Sequence, residues 1–163
     1  MPATLARASS RRRRAPAPIA RVAGLDYDVL DELLGYSLRR AQVAILGTFE
    51  EATRGHGITP PRFTALVIIG ANPGLSQAVL GSVLGIARSG AMMLVDWMVA
   101  QALVERRRKP DDGRTWGLTL TPQGARLLAT LKQRVARTER RRSAALSARE
   151  RAQLVRLLGK LSA

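Results

Sequence analysis

The sequence predicts a mainly α-helical domain carrying one small β-hairpin, and three observations predict it. Apolar residues recur at three- and four-residue spacing over most of the chain, as on helices that bury one face. The period changes to two in Trp116-Gly117-Leu118-Thr119-Leu120, directly after a turn rich in Pro, Asp and Gly. Hydrophobic residues make up 46% and aromatic residues 4% of the 163 residues, so a core of Leu, Val, Ala and Ile fits one domain, or one domain plus a dimerisation element.

Residues 1–24 hold Arg7, Arg11 to Arg14 and Arg21 with no acidic residue, and read as a disordered arginine-rich arm. Such an arm serves as a supplementary phosphate-binding element or is a solvated tail. A long helix is expected from Asp26 or Asp28 to Arg54, closed by Gly55, with Leu30, Leu33, Leu34, Leu38, Ala41, Ile45 and Phe49 as its buried stripe. Thr59-Pro60 opens the next helix, filled by Phe63, Leu66, Val67 and Ile69 and ended at Gly70. Asn72-Pro73-Gly74 is a turn.

Ser76 then caps a short helix, with Leu75 placed to staple against Leu80 and Gly85 to close it. A further helix runs from Ala87 to Ala102. Its Ala91, Leu94, Val95, Met98 and Ala102 share one face, and Ser89, Met92, Met93 and Asp96 lie opposite. The basic run Arg106 to Lys109 leads through Pro110-Asp111-Asp112-Gly113 into the second hairpin strand. Thr121-Pro122 starts a helix striped by Leu127, Leu128, Leu131 and Val135 and running to about Ala144. Ser147 and Glu150 form a capping box for a last helix whose Leu154, Leu157, Leu158 and Leu161 are expected to face inward.

Helix, turn, helix and basic hairpin is the outline of a winged helix-turn-helix. A helix fits the major groove of DNA, and a narrow arginine-bearing hairpin reaches the neighbouring minor groove. A formal charge of +15 favours a polyanionic partner. With no cysteine there is neither a disulfide framework nor a thiolate metal site. His56 is the only histidine, no nucleophile–base motif or glycine-rich phosphate loop is present, and an enzyme, a cofactor or a metal is not expected. No apolar run approaches the ~20 residues of a membrane span, and the N-terminus lacks a signal-peptide core, so no membrane is expected as a partner and a cytoplasmic protein is.

The series Leu75-Ser76-Gln77, Leu94-Val95-Asp96, Leu103-Val104-Glu105-Arg106, Asp111-Asp112-Gly113-Arg114 and Leu118-Thr119-Leu120-Thr121-Pro122-Gln123-Gly124 resembles the MarR family of bacterial transcriptional regulators, over roughly residues 26 to 161. The Asp-x-Arg hairpin tip followed by Leu-Thr-x-x-Gly is its most specific part. The expected organisation is a winged helix-turn-helix DNA-binding domain at 59–120, with 25–58 and 121–163 as helical dimerisation elements. The apolar stripes of those terminal helices, left bare, would be patches too large for a monomer, and a second copy about a two-fold axis would cover them. The resemblance implies the same homodimer, presenting two recognition helices to a pseudo-palindromic operator on double-stranded DNA.

On the recognition helix the DNA-facing set is Arg88, Ser89, Met92 and Met93. Family members commonly carry polar residues where Met92 and Met93 stand, and a Ser or Thr cap where Ala87 stands. The methionines imply apolar base readout through thymine methyl groups, or else weak discrimination. Gly90, in the first turn, either weakens the helix by about 1 kcal/mol or allows close approach to DNA. Ser76 and Gln77 are candidates for a phosphate, with Ser76 equally a plain cap.

In the wing, Arg114 is placed for a minor groove and Asp112 resembles the family residue that orients it, while Arg106, Arg107, Arg108 and Lys109 add phosphate charge. Trp97 and Trp116 read as packing residues between the recognition helix and its surroundings, with stacking on a ligand as the alternative. Gly35-Tyr36-Ser37-Leu38-Arg39-Arg40-Ala41-Gln42 resembles the stretch found in members that govern degradation of plant-derived aromatic acids and respond to hydroxycinnamoyl-CoA thioesters. That resemblance makes Tyr36, Arg39 and Arg40 candidates for an effector, an aromatic acid or its CoA thioester. It also implies a ligand-responsive repressor of aromatic-compound catabolism. The alternative is a nonspecific architectural nucleic-acid-binding protein, or a helix-turn-helix kept for protein contacts.

Overall fold

The computed structural model describes residues 19–109 and 112–162, by backbone alone at 109 and 112–115. The chain divides into two compact units, residues up to Gly47 and Thr48 onward. Of the arginine-rich arm, residues 1–18 lie outside the described residues; Arg21, near its end, pairs with Asp31 at 2.6 Å.

In the first unit the expected helix start at Asp26 or Asp28 does not form. Asp28 has φ +48°, and its N–H is held by the Asp26 carboxylate at 2.9 Å, a local turn that competes with helix. One 3-10 turn at Asp28–Asp31 follows, and α1 (Leu34–Thr53) begins only afterwards and runs across the unit boundary. Leu30, Leu33, Leu34 and Leu38, expected as a buried stripe, are 36 to 55% exposed.

The second unit holds α2 (Pro60–Ala71), α3 (Gln77–Leu84), α4 (Arg88–Ala100), the antiparallel strands β1 (Val104–Lys109) and β2 (Asp112–Leu120), α5 (Pro122–Arg142) and α6 (Ala148–Leu161). Leu66 and Ile69 of α2, Leu80 of α3, Val95 and Met98 of α4, Val104 and Leu118 of the hairpin and Leu131 of α5 form one fully buried cluster. The hairpin pairs Val104 with Leu120 and Arg106 with Leu118, so Val104 and Leu118 reach the core. Residue Leu75 extends this sheet by a bridge to Leu118, with N–H···O bonds of 2.9 and 2.8 Å from Gly74 to Leu118 and from Leu118 to Leu75.

The helix-turn-helix is built from its caps. The Ser76 hydroxyl accepts the Val79 N–H at 3.3 Å, and Gly85 closes α3 with φ +63°. The chain then turns by 112° into α4, within the range usual for such a motif. Helix α4 stops at Ala100, short of the expected Ala102, because Ala102 is left-handed at φ +53°. The Leu103 N–H bonds to the Met98 carbonyl and the Ala102 N–H to the Val99 carbonyl, both at 2.9 Å, which is a Schellman closure with alanine where glycine is usual.

The start of α5 is fixed on that closure. Thr121 caps α5 by accepting the Gly124 N–H at 3.0 Å, and its hydroxyl donates to the Ala102 carbonyl at 2.6 Å. Gly124 lies so close to the chain that follows α4 that a Cβ there would fall 1.9 Å from the Leu103 carbonyl oxygen.

Helix α6 opens with the expected capping box, whose Ser147 hydrogen bonds hold the Glu150 carboxyl below its usual range. Of the four leucines expected to face inward, only Leu158 is half-buried. Leu154, Leu157 and Leu161 are 43 to 58% exposed and no α6 residue is buried, since no element of this unit covers that face. Among the described residues no single helix is long and apolar enough to cross a membrane.

Candidate nucleic-acid interface

The outward face of α4 is set by what its inner face buries. Ala91, Val95 and Met98 are in the core, which turns Arg88, Ser89, Met92, Met93 and Asp96 to solvent. Met92 is 50% and Met93 71% exposed. The helix has no side-chain cap at Ala87, so its first N–H groups stay available to an acceptor such as phosphate. Gly90 is not forced by packing: an added Cβ would meet Ile86 at 3.8 Å, an ordinary contact. Gly90→Ala is therefore expected to stabilise the fold by about 1 kcal/mol, read as a rise of roughly 2–4 °C in melting temperature. If the same variant loses affinity for DNA, the missing methyl serves close approach.

The base of the wing packs into the core, and one polar side chain ties it further to α4 and α3. The Arg106 guanidinium of β1 donates to the Asp96 carboxylate of α4 and, at 3.4 Å, to the Gln77 amide oxygen at the start of α3. Three elements of the motif thus meet at a single cation. Arg107 pairs with Glu105 at 2.6 Å, and Arg108 lies 5.4 Å from the centre of the Trp116 ring. The side chains of Lys109, Asp112 and Arg114 lie outside the described residues, so the expected Asp112–Arg114 pair does too.

Of the predicted residues, Gln77 and Arg106 are brought together, Ser76 serves as a cap, and Arg88, Ser89, Met92 and Met93 share the exposed surface of α4. Sequence reasoning passed over Asp96 as the partner of the wing. The clue was its isolation, for it is the sole acid of α4 in a chain of charge +15. An unpaired carboxylate on a helix that met DNA would repel phosphate.

The two tryptophans part company. Trp97 is half-buried against the core, and the Arg62 guanidinium stacks 3.5 Å from its ring centre while donating to the Gly57 carbonyl at 2.7 Å. Burial pushes the Arg62 pKa down from its ordinary value. Trp116, expected as a packing residue, is 53% exposed: it shares the face of Leu118 on β2 but stands two residues nearer the hairpin turn, beyond the buried cluster. His56 sits with its Nε2 3.2 Å from an Arg134 nitrogen.

Residues 56–115, from the loop before α2 through the hairpin turn, match the MarR family. A Thauera aromatica protein described as a transcriptional regulatory protein for the hcr operon is 37% identical over 129 residues, 78% of each chain. The chain belongs to the MarR family. It is a transcriptional regulator with a DNA-binding winged helix, not an enzyme. The transcriptional repressor CouR, solved on a 23-mer DNA duplex, is 34% identical, with 85% of this chain and 99% of that chain covered at a TM-score of 0.79. CouR bound to p-coumaroyl-CoA is 33% identical over 85% of this chain and 97% of that one, at a TM-score of 0.73.

In this MarR-family chain the candidate effector residues lie in the first unit. Tyr36 is half-buried, its ring centre 6.2 Å from that of Tyr27. The Arg40 guanidinium lies 5.8 Å from the Tyr36 ring centre and its Nε donates to the Ile19 carbonyl at 3.4 Å, while Arg39 is exposed. Arg21 stacks 4.4 Å over Tyr27. Aromatic faces and guanidinium groups thus alternate, a chemistry suited to an anionic aromatic ligand. Tyr27 and Arg21 were not among the residues expected from sequence, since their approach to Tyr36 depends on the turn at Asp28.

Proposed function

We propose that the protein is a homodimeric repressor that holds a pseudo-palindromic operator and releases it on binding a small aromatic effector, an aromatic acid or its CoA thioester, in the control of aromatic-compound catabolism. The observation that carries this reading is the exposed face of α4 locked to a basic wing through Arg106, in a chain 34% identical to a repressor solved on duplex DNA. Arg88 and Ser89 contact the major groove together with Met92 and Met93. Gln77, Arg107, Arg108 and Lys109 face phosphates, and Arg114, oriented by Asp112, enters the minor groove.

The exposed leucines of the terminal helices are the dimer contacts, since faces of that kind need cover. Tyr36, Arg39 and Arg40 take the effector, a role supported by the CoA thioester bound to CouR. A ligand of this kind acts by favouring one spacing of the two recognition helices over another.

Binding of the full-length protein to the DNA upstream of its own gene, against a scrambled duplex across a salt series, tests the proposal. A preference of roughly 10³-fold that persists near 0.15 M salt is expected, with release by p-coumaroyl-CoA and not by free CoA. Equal affinity for both duplexes, falling steeply with salt for each, would instead identify an architectural binder.

A further inference from the structure

We infer that Met93 is a specificity-determining residue that reads the 5-methyl group of thymine, so that each operator half-site carries a required thymine opposite this side chain. The inference rests on the operator reading above and names what that site selects.

Helical geometry places Met93 at the middle of the outward face. At roughly 100° per residue it stands about 200° around α4 from the buried Ala91. Ser89 precedes it by one turn on that face, and Asp96 and Ala100 follow. Met93 is 71% exposed, against full burial for Val95 and Met98 on the other side, so it has no packing role in the fold. Asp96 is occupied by Arg106 and turned toward the wing. The side chain at the centre of the outward face is therefore one with no N–H or O–H to offer, and its thioether is only a weak acceptor.

The major-groove edges of the base pairs present donors and acceptors throughout, with one apolar exception, the thymine methyl. Against any other edge Met93 would strip water from a polar group and return no hydrogen bond, an unfavourable contact. Against thymine it buries a methyl group on an apolar partner. The same residue thus rewards one base and penalises the others, which is how discrimination arises without a bidentate pair. Met92, 50% exposed, flanks this contact.

The test uses duplexes that the full-length protein selects from a random-sequence pool, remade with deoxyuridine in place of thymidine. Deoxyuridine keeps every hydrogen-bonding group and removes the methyl. Wild type is expected to lose about four-fold affinity per contacted methyl, and roughly fifteen-fold when both half-sites are changed. Met93→Ala, which alters only an exposed side chain, is expected to bind both duplexes equally, and Met93→Leu to retain the preference. Equal binding of the two duplexes by wild type overturns the inference, as does a preference that survives in Met93→Ala. Failure to enrich any sequence overturns the operator reading itself, and the inference with it.

Discussion

Gly124→Ala is expected to destabilise the protein by about 3 kcal/mol or more, a fall of roughly 6–12 °C in melting temperature. The added methyl carbon would lie 1.9 Å from the Leu103 carbonyl oxygen and 2.8 Å from its carbon. Both are backbone atoms, so no rotamer change relieves the overlap. Either α5 moves away, or the chain after α4 does. Moving α5 would break the Thr121 hydroxyl bond to Ala102 and the Thr121 N–H bond to Leu103 at 3.1 Å. Moving the other side would disturb the left-handed Ala102, which already occupies a strained conformation. Gly159→Ala is the control, since a Cβ there meets nothing within 4 Å and the substitution is expected to be neutral or mildly stabilising. A thermal melt of the two variants decides the matter, and an unchanged Gly124→Ala melt would show that the contact is looser than described.

Asp96→Ala is expected to weaken operator binding by about ten-fold while leaving stability within about 1 kcal/mol. The direction is what makes this informative. Removing a carboxylate from a DNA-facing surface should, by charge alone, strengthen binding to phosphate. Weaker binding therefore means that Asp96 acts by holding Arg106, and so the wing, in register with α4. The pair is partly exposed, 35% for the arginine and 55% for the aspartate side chain, which limits its share of folding energy. Arg106→Ala should weaken binding as well, and the double variant should lose less than the sum, because one interaction is being removed twice. Isothermal titration or anisotropy at fixed salt reads this directly. Tighter binding by Asp96→Ala would reduce the aspartate to a mere counter-charge.

Much of the fold was legible because local chemistry and tertiary structure agree. Ser76, Gly85, Thr121 and the Ser147–Glu150 box each do what their residue types favour, and the helices begin and end accordingly. The missed helix start at Asp28 and the early stop before Ala102 are left-handed residues other than glycine, and nothing in residue type announces those. The stripes of the terminal helices were legible as apolar, and the exposure of their leucines was not. On α4, composition and spacing pick out the exposed Arg88, Ser89, Met92 and Met93. The role of Asp96 and the exposure of Trp116 depend on the hairpin register, which a turn sequence with an irregularity at Arg108 and Lys109 leaves open. The Leu-Thr-x-x-Gly motif was legible only as a pattern. Its physical content is a hydroxyl that serves two backbone groups and a glycine that lets two segments touch.

That junction turns α5 into a lever. The helix spans Pro122–Arg142, about 32 Å at 1.5 Å per residue, and its first turn is fastened to the residues that close the recognition helix. A tilt of α5 by about 5° would sweep its far end through roughly 3 Å, and at the near end the fastening has no slack to absorb the twist. The carbonyls of Ala102 and Leu103 act as the fulcrum. A force that tilts α5 would therefore load the base of α4, and the close approach of Gly124 to Leu103 leaves little room for the junction to yield.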